Sequence, residues 1–152
     1  MKKRLATLND IPVLVELRKR QLIDEGLPPV TNIEMNIDTA LADYFTSAIS
    51  DEAFISWVMD NDDEIIATSG VCFYALPPNF SNPSGRTAYI TNMYTKPEYR
   101  RRGIAAELLN MVIEEAKKRG YKVIRLHTSE YGKSIYLKAG FADTDGYMAL
   151  RI

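Results

Sequence analysis

Cysteine and histidine each occur once in these 152 residues, as Cys72 and His127. A lone thiol cannot close an internal disulfide, so stability must come from a packed core, and a reducing compartment is the natural setting. The same scarcity leaves too few soft ligands for a zinc site, so no metal is expected. Long apolar runs are also missing. Met1-Lys-Lys-Arg4 passes into Leu-Ala-Thr-Leu-Asn-Asp10 rather than into a signal-type stretch, and no run approaches the ~20 residues of a spanning helix. A soluble, cytoplasmic chain without a membrane partner is therefore expected. Repeats and low-complexity tracts are absent as well. What is present, 46% apolar residues in a chain of this length, suffices for one buried core and not for two, so residues 1–152 read as a single domain.

The net charge of −1 hides an uneven distribution. Residues 1–87 carry 7 Lys+Arg against 13 Asp+Glu, net −6, and residues 88–152 carry 12 against 7, net +5. A basic half suits a polyanionic ligand and an acidic half a cationic one, although solvated surface charge is the plainer reading.

Periodicity orders the chain into alternating elements. Lys3 to Thr7 reads as an opening strand. Asn9 and Asp10 cap a helix with Pro12 in its first turn and a stripe of Ile11, Leu14, Leu17 and Leu22, ended by Gly26-Leu-Pro-Pro29. Val30 to Asp38 shows little periodicity, and Thr39 to Ile49, with Leu41, Phe45 and Ile49, reads as a second helix. Ala53 to Met59 and Ile65 to Tyr74 are strands around Asp60-Asn-Asp-Asp-Glu64, a hairpin signal. Leu76 to Gly85 is a turn-rich loop able to overhang a site. Ala88 to Thr95 is a strand, and Ile104 to Arg119 the longest helix, with Ile104, Leu108, Val112 and Ala116 on one face. Lys122 to His127 is a strand, Lys133 to Ala139 a short helix, and Phe141 to Arg151 a hairpin around Asp145-Gly146. The order β-α-α-β-β-β-α-β-α-β-β implies an α/β fold, a mixed sheet with helices on both faces.

Tyr99 to Ala105, Tyr-Arg-Arg-Arg-Gly-Ile-Ala, sets a basic, glycine-centred turn between a strand and an amphipathic helix. A helix start offers unpaired amides and the positive end of the macrodipole, and glycine lets an anion approach, so the turn is suited to phosphate. A run of three arginines without interleaved aromatics is a poor nucleic-acid signal, and no nucleic-acid partner is expected.

The stretch from Ile90 to Leu109 resembles the cofactor-binding motif of the GNAT N-acetyltransferases. Its core, Arg/Gln-x-x-Gly-x-Gly/Ala, reads here as Arg100-x-x-Gly103-x-Ala105. A second signature of that family resembles Leu126 to Phe141, including Ile135-Tyr-Leu-Lys-Ala-Gly-Phe141. The resemblance implies the acyl-CoA N-acyltransferase fold and an acetyl-CoA-dependent N-acetyltransferase with no metal. It places the pyrophosphate against the backbone amides of Arg101, Arg102, Gly103, Ile104, Ala105 and Ala106, and makes Arg100, the first motif position, a cofactor-binding residue as well. Pantetheine would lie along Met93, Tyr94 and Thr95 on a bulged strand, with the Met93 amide on the thioester carbonyl. It makes Tyr136 the general acid for the departing thiolate, and Ser129 a cofactor contact. From the residues alone, Met93, Tyr94 and Tyr136 also read as core residues and Ser129 as a helix cap.

Where several members of the family place a glutamate, this chain has Tyr89. The proton acceptor stays open among water, Tyr89 and an acidic residue of the first half, while His127, placed mid-strand, reads as structural. Cys72 lies outside both motifs, so attack is expected to be direct, in a ternary complex. The expected partners are a small-molecule or peptide amine acceptor, cationic if the charge split is functional; a homodimer is compatible with the sequence. A non-catalytic acyl-CoA sensor is the alternative.

Overall fold

The computed structural model describes residues 1–27, 37–144, 146 and 148–152. Its strands β1 (Lys2–Leu5), β2 (Phe54–Asn61), β3 (Glu64–Ala75), β4 (Arg86–Thr95) and β5 (Val123–Leu126) form one mixed sheet, neighbours in space following their order in the chain. β1 to β4 are antiparallel, and β5 joins β4 in parallel. That last pairing needs a crossover, supplied by α3 (Ile104–Lys118). The other helices are α1 (Ile11–Asp24), α2 (Ile37–Ser50) and α4 (Lys133–Lys138). No described helix is long and apolar enough to cross a membrane.

The sheet has a core on each face. Leu14 and Leu17 of α1 and Phe45 of α2 pack with Phe54 and Val58 on one side. On the other, Leu109, Val112 and Ala116 of α3 meet Val71, Ala88 and Ile90. Each of these larger side chains stabilises the fold by roughly 1.5–3 kcal/mol through burial. The α3 stripe read from the sequence is the buried one, and Leu109 widens it. In α1 the stripe holds through Leu17, but Leu22 is half-buried and Gln21 takes the buried position.

Local chemistry explains the connections. Asp62 and Asp63 have φ of 50° and 63° between β2 and β3, the left-handed pair that a two-residue hairpin demands and aspartate tolerates. A 3-10 turn (Leu8–Asp10), capped by Thr7, leads into α1, whose N-cap position is Asp10. The Asp10 carboxylate accepts the Thr7 amide at 2.7 Å and the Arg4 guanidinium at 2.7 and 2.9 Å, while Arg4 also reaches Asp60 at 2.6 Å. β1, the end of β2 and the start of α1 are thus tied at one point. The Arg4 hydrogen bond, above all, lowers the Asp10 pKa to about 2.

Three expectations are corrected. The closing hairpin is absent among the described residues, since no strand follows β5; Asp145 of its turn lies outside them. Met148, Leu150 and Ile152 alternate as a strand would but stand exposed, and alternation makes a strand only where an edge and a buried face receive it. The Leu76 to Gly85 loop precedes β4, at the end remote from the helix-start turn, and lines no part of the cavity described below. His127 lies beyond the end of β5 rather than within it. Of the unpatterned segment, 30–36 lies outside the described residues.

Candidate active site

The pairing of β4 with β5 stops at Ile90 and Leu126, leaving Thr91 to Thr95 without a β5 partner. Toward β3 the register slips: Gly70 opposes Thr91, whereas Thr68 opposes Tyr94, so β4 has one residue more than β3 over that interval. Asn92, with φ 54°, absorbs the extra residue. Such a bulge breaks the ladder and re-aims the backbone. The buried Thr95 hydroxyl beside it has no hydrogen-bond partner among the described residues.

The chain then turns into α3 through Arg100 to Gly103. Arg101 at φ 60° and Gly103 at φ 81° are both left-handed, and such residues curl successive amides toward one side. A Cβ on Gly103 would meet nothing within 4 Å, so backbone conformation calls for glycine here and the space before it is open. The Glu107 amide closes the first helical bond onto Gly103 at 3.0 Å. Those of Ile104, Ala105 and Ala106 come before it, where a helix offers them no acceptor.

The three arginines diverge. Arg100 donates to the Thr95 carbonyl at 2.9 Å and to Asp24 at 2.6 Å, joining the loop to β4 and α1. Arg101 lines the cavity. Arg102 turns away, donating to the Glu98 carbonyl at 2.9 Å and lying over the Tyr99 ring, so its side chain is not part of the cavity wall.

Across the gap, α4 presents Tyr136. Its ring meets Phe141 edge-on at 6.1 Å and packs among the α3-side core residues. Burial, and secondarily the charge of Glu25, raise the phenol pKa to about 12. The elements enclose a cavity of about 900 Å³, a size suited to a cofactor-sized ligand. Met93, Tyr94, Thr95, Arg100, Arg101, Gly103, Ile104, Ala105, Ala106, Ser129 and Tyr136 all line it. Sequence reasoning missed Gln21, Asp24 and Glu25, which come from α1 and its end, and Gly132 of the α4 approach. One signal was available: Gln21 sits where the α1 stripe calls for an apolar residue.

On the opposite face, β3 and β4 place Cys72 against Tyr89. Burial, above all, raises the Tyr89 phenol pKa. Cys72 lies 3.1 Å from the Tyr44 hydroxyl, and burial pushes its thiol pKa up, away from a reactive thiolate. Two ion pairs join the acidic half of the sequence to the basic half, Asp24 with Arg100 and Glu64 with Lys96, while Asp10 and Asp60 share Arg4 within the first half.

Known proteins share this fold. The family model described as Acetyltransferase (GNAT) family matches residues 19–141. N-acetyltransferase 8B of Rattus norvegicus is 29% identical over 126 residues, 80% of this chain and 54% of that protein, so the chain spans about half the length of this relative. A crystal structure of a predicted acetyltransferase with acetyl-CoA from Clostridium acetobutylicum superposes with a TM-score of 0.92 at 42% identity, covering 99% of this chain and 95% of that one. A GCN5-related N-acetyltransferase from Ralstonia eutropha JMP134 gives 0.90 at 26% identity, covering 99% and 97%. With a family match running from α1 to the end of the α4 turn, and with the bulged strand, helix-start turn and α4 tyrosine around one cavity, the chain belongs to the acetyltransferase (GNAT) family.

Proposed function

We propose that the protein transfers an acetyl group from acetyl-CoA to a primary amine by direct attack in a ternary complex. The observation that carries this reading is the single cavity joining the β4 bulge, the amides at the start of α3 and the Tyr136 ring. Those amides, the left-handed Arg101 and Gly103, and the open space before Gly103 fit a pyrophosphate. The unpaired side of β4 beyond Ile90 fits an extended pantetheine arm, which would add to the sheet edge as a strand does.

In the reaction, the amine lone pair attacks the thioester carbonyl carbon, and the carbonyl oxygen takes up the negative charge. The Met93 amide donates to that oxygen. Collapse of the tetrahedral adduct breaks the carbon–sulfur bond, and the electron pair leaves on the coenzyme A thiolate. Tyr136, with its pKa raised to about 12, is fully protonated at neutral pH and donates to sulfur as charge accumulates there. The amine nitrogen gives its proton to Glu25, the cavity carboxylate closest in effect to Tyr136. Asp24 is held by Arg100 and is less suited to that role. Cys72, buried and paired with Tyr44, takes no part.

The test is release of free thiol from acetyl-CoA across amine classes, with coenzyme A binding followed by calorimetry. Thiol release that depends on an amine supports the reading. Tight coenzyme A binding with no release on any class would replace it by an acyl-CoA sensor.

A further inference from the structure

The stripe of α1 that faces the sheet changes character along its length. Leu14 is fully buried in the core, and Arg18, Gln21 and Glu25 continue the same face at helical spacing. These three are joined in a ladder. Arg18 Nη1 donates to Gln21 Oε1 at 3.1 Å, and Gln21 Nε2 donates to Glu25 Oε1 at 2.9 Å. The middle rung, only 7% exposed, is a neutral amide fixed between a cation and an anion.

The two ends face different surroundings. Glu25 and Gln21 line the cavity that contains Met93 and Tyr136. Arg18 is half-buried, and its charge counters the rise in pKa that burial causes in Tyr44 of α2, Cys72 of β3 and Tyr89 of β4. Arg4, Arg20, Arg100 and Arg119 each hold a carboxylate, whereas Arg18 has none among the described residues. A half-buried guanidinium bonded to one neutral amide keeps most of its five donors unused and lacks a counter-ion for its desolvation.

We propose that Arg18 anchors a carboxylate of the acceptor, making the substrate class a primary amine that carries a carboxylate several bonds from the amine. This rests on the acetyl-transfer reading above, because the amine end is assigned to the Glu25 side of the ladder. Arg18 and Glu25 are seven residues apart, about 10 Å along a helix axis. An α-amino group lies two bonds from its own carboxylate carbon and does not span the ladder; an ω-amino group or a lysine-like side chain does. The carboxylate end distinguishes this substrate class from the purely cationic acceptor that the charge split suggested.

The experiment uses coenzyme A-loaded protein and ω-amino carboxylates from glycine to 6-aminohexanoate, each paired with its carboxamide. Calorimetry measures their binding, and thiol release measures their acetylation with acetyl-CoA. The longer carboxylates are expected to bind about 10-fold or more tighter than their carboxamides, as a charge-assisted, bidentate contact would give. Arg18→Gln erases this preference with coenzyme A affinity unchanged, and Arg18→Lys, keeping charge without the fork, retains part of it. Equal binding of carboxylate and carboxamide to the wild type, or a preference that survives in Arg18→Gln, overturns the proposal. Should Arg18→Gln lose coenzyme A binding through misfolding, Arg18→Lys decides, an undiminished preference counting against the site. Carboxylate-selective binding without thiol release would remove the catalytic reading and leave the Arg18 site standing. Equal acetylation of both members of each pair would do the reverse.

Discussion

Gly132 has no room for a side chain because the ring of Tyr136 occupies it: a Cβ there would stand 2.8 Å from Cε2 of that ring and 3.5 Å from the Ser129 hydroxyl. The backbone of Gly132, at φ −87°, is one that any residue adopts, so the requirement for glycine is set by the tyrosine alone. Gly132→Ala should push the ring off its position at the cavity wall. Turnover is expected to fall on the order of 10-fold, as small misplacements of reacting groups do, with a stability loss of roughly 1 kcal/mol. Steady-state kinetics beside thermal melts would check both, and an unchanged kcat would show that the ring has slack.

Tyr136→Phe keeps the packing and deletes the donor. A loss of about 10 to 10⁴-fold in turnover, larger than any loss in coenzyme A affinity, is expected for a general acid. Since burial raises this phenol pKa to about 12, deprotonation of Tyr136 should not limit the rate below the range of an ordinary tyrosine. The sign for stability follows from the same shift. The folded form holds the proton more tightly than the unfolded one, so its contribution is complete below the unfolded value near ~10 and is lost as pH rises through about 12. A pH–rate profile with an alkaline fall absent from Tyr136→Phe and centred well below ~10 would contradict this.

Gly103→Val separates conformation from ligand contact. Nothing in the protein lies within 4 Å of a Cβ there, so the cost to the fold is that of forcing a β-branched residue to φ 81°, roughly 1–2 kcal/mol. Coenzyme A affinity should fall by about 10-fold or more, and wild-type affinity should weaken as salt rises. Calorimetry at two salt concentrations reads both effects, while unaltered affinity in Gly103→Val would exclude close approach of the pyrophosphate to this turn. Arg102→Ala, whose side chain faces away from the cavity, should change affinity much less than Arg101→Ala.

Acid stability should depend on Asp10. Its pKa is lowered to about 2, chiefly by Arg4, so its stabilisation is fully present above the unfolded value near ~3.9 and is lost as pH falls through about 2. Asp10→Asn is expected to cost roughly 1–2 kcal/mol near neutral pH, with the gap to wild type closing in acid. Melting curves from about pH 6 down to about pH 2 would test this, and a gap independent of pH would assign the effect to packing.

The sequence alone determined the features whose causes are local. Glycine and arginine before an amphipathic run specify a helix-start turn, and the α3 stripe specifies the face that is buried, because backbone conformation and helical period act over a few residues. Tyr136 and Met93 were legible as candidates only through motifs, since nothing within a few residues of either distinguishes a site from a core. Tertiary structure decided the rest. Arg100 and Arg102 are near neighbours in the chain, yet one braces the loop against Asp24 and the other lies over Tyr99; which way each points depends on atoms far away in sequence. Gln21 and Glu25 joined the cavity, and the charge of Arg18 came to act on groups of three other elements, only when α1 docked on the sheet. The apolar alternation at Met148, Leu150 and Ile152 made no strand, because a strand needs a partner edge that alternation in one segment cannot supply. Charges far apart in the chain likewise met, Glu64 with Lys96 and Asp24 with Arg100, since Coulomb energy depends on distance in space and not on separation along the chain.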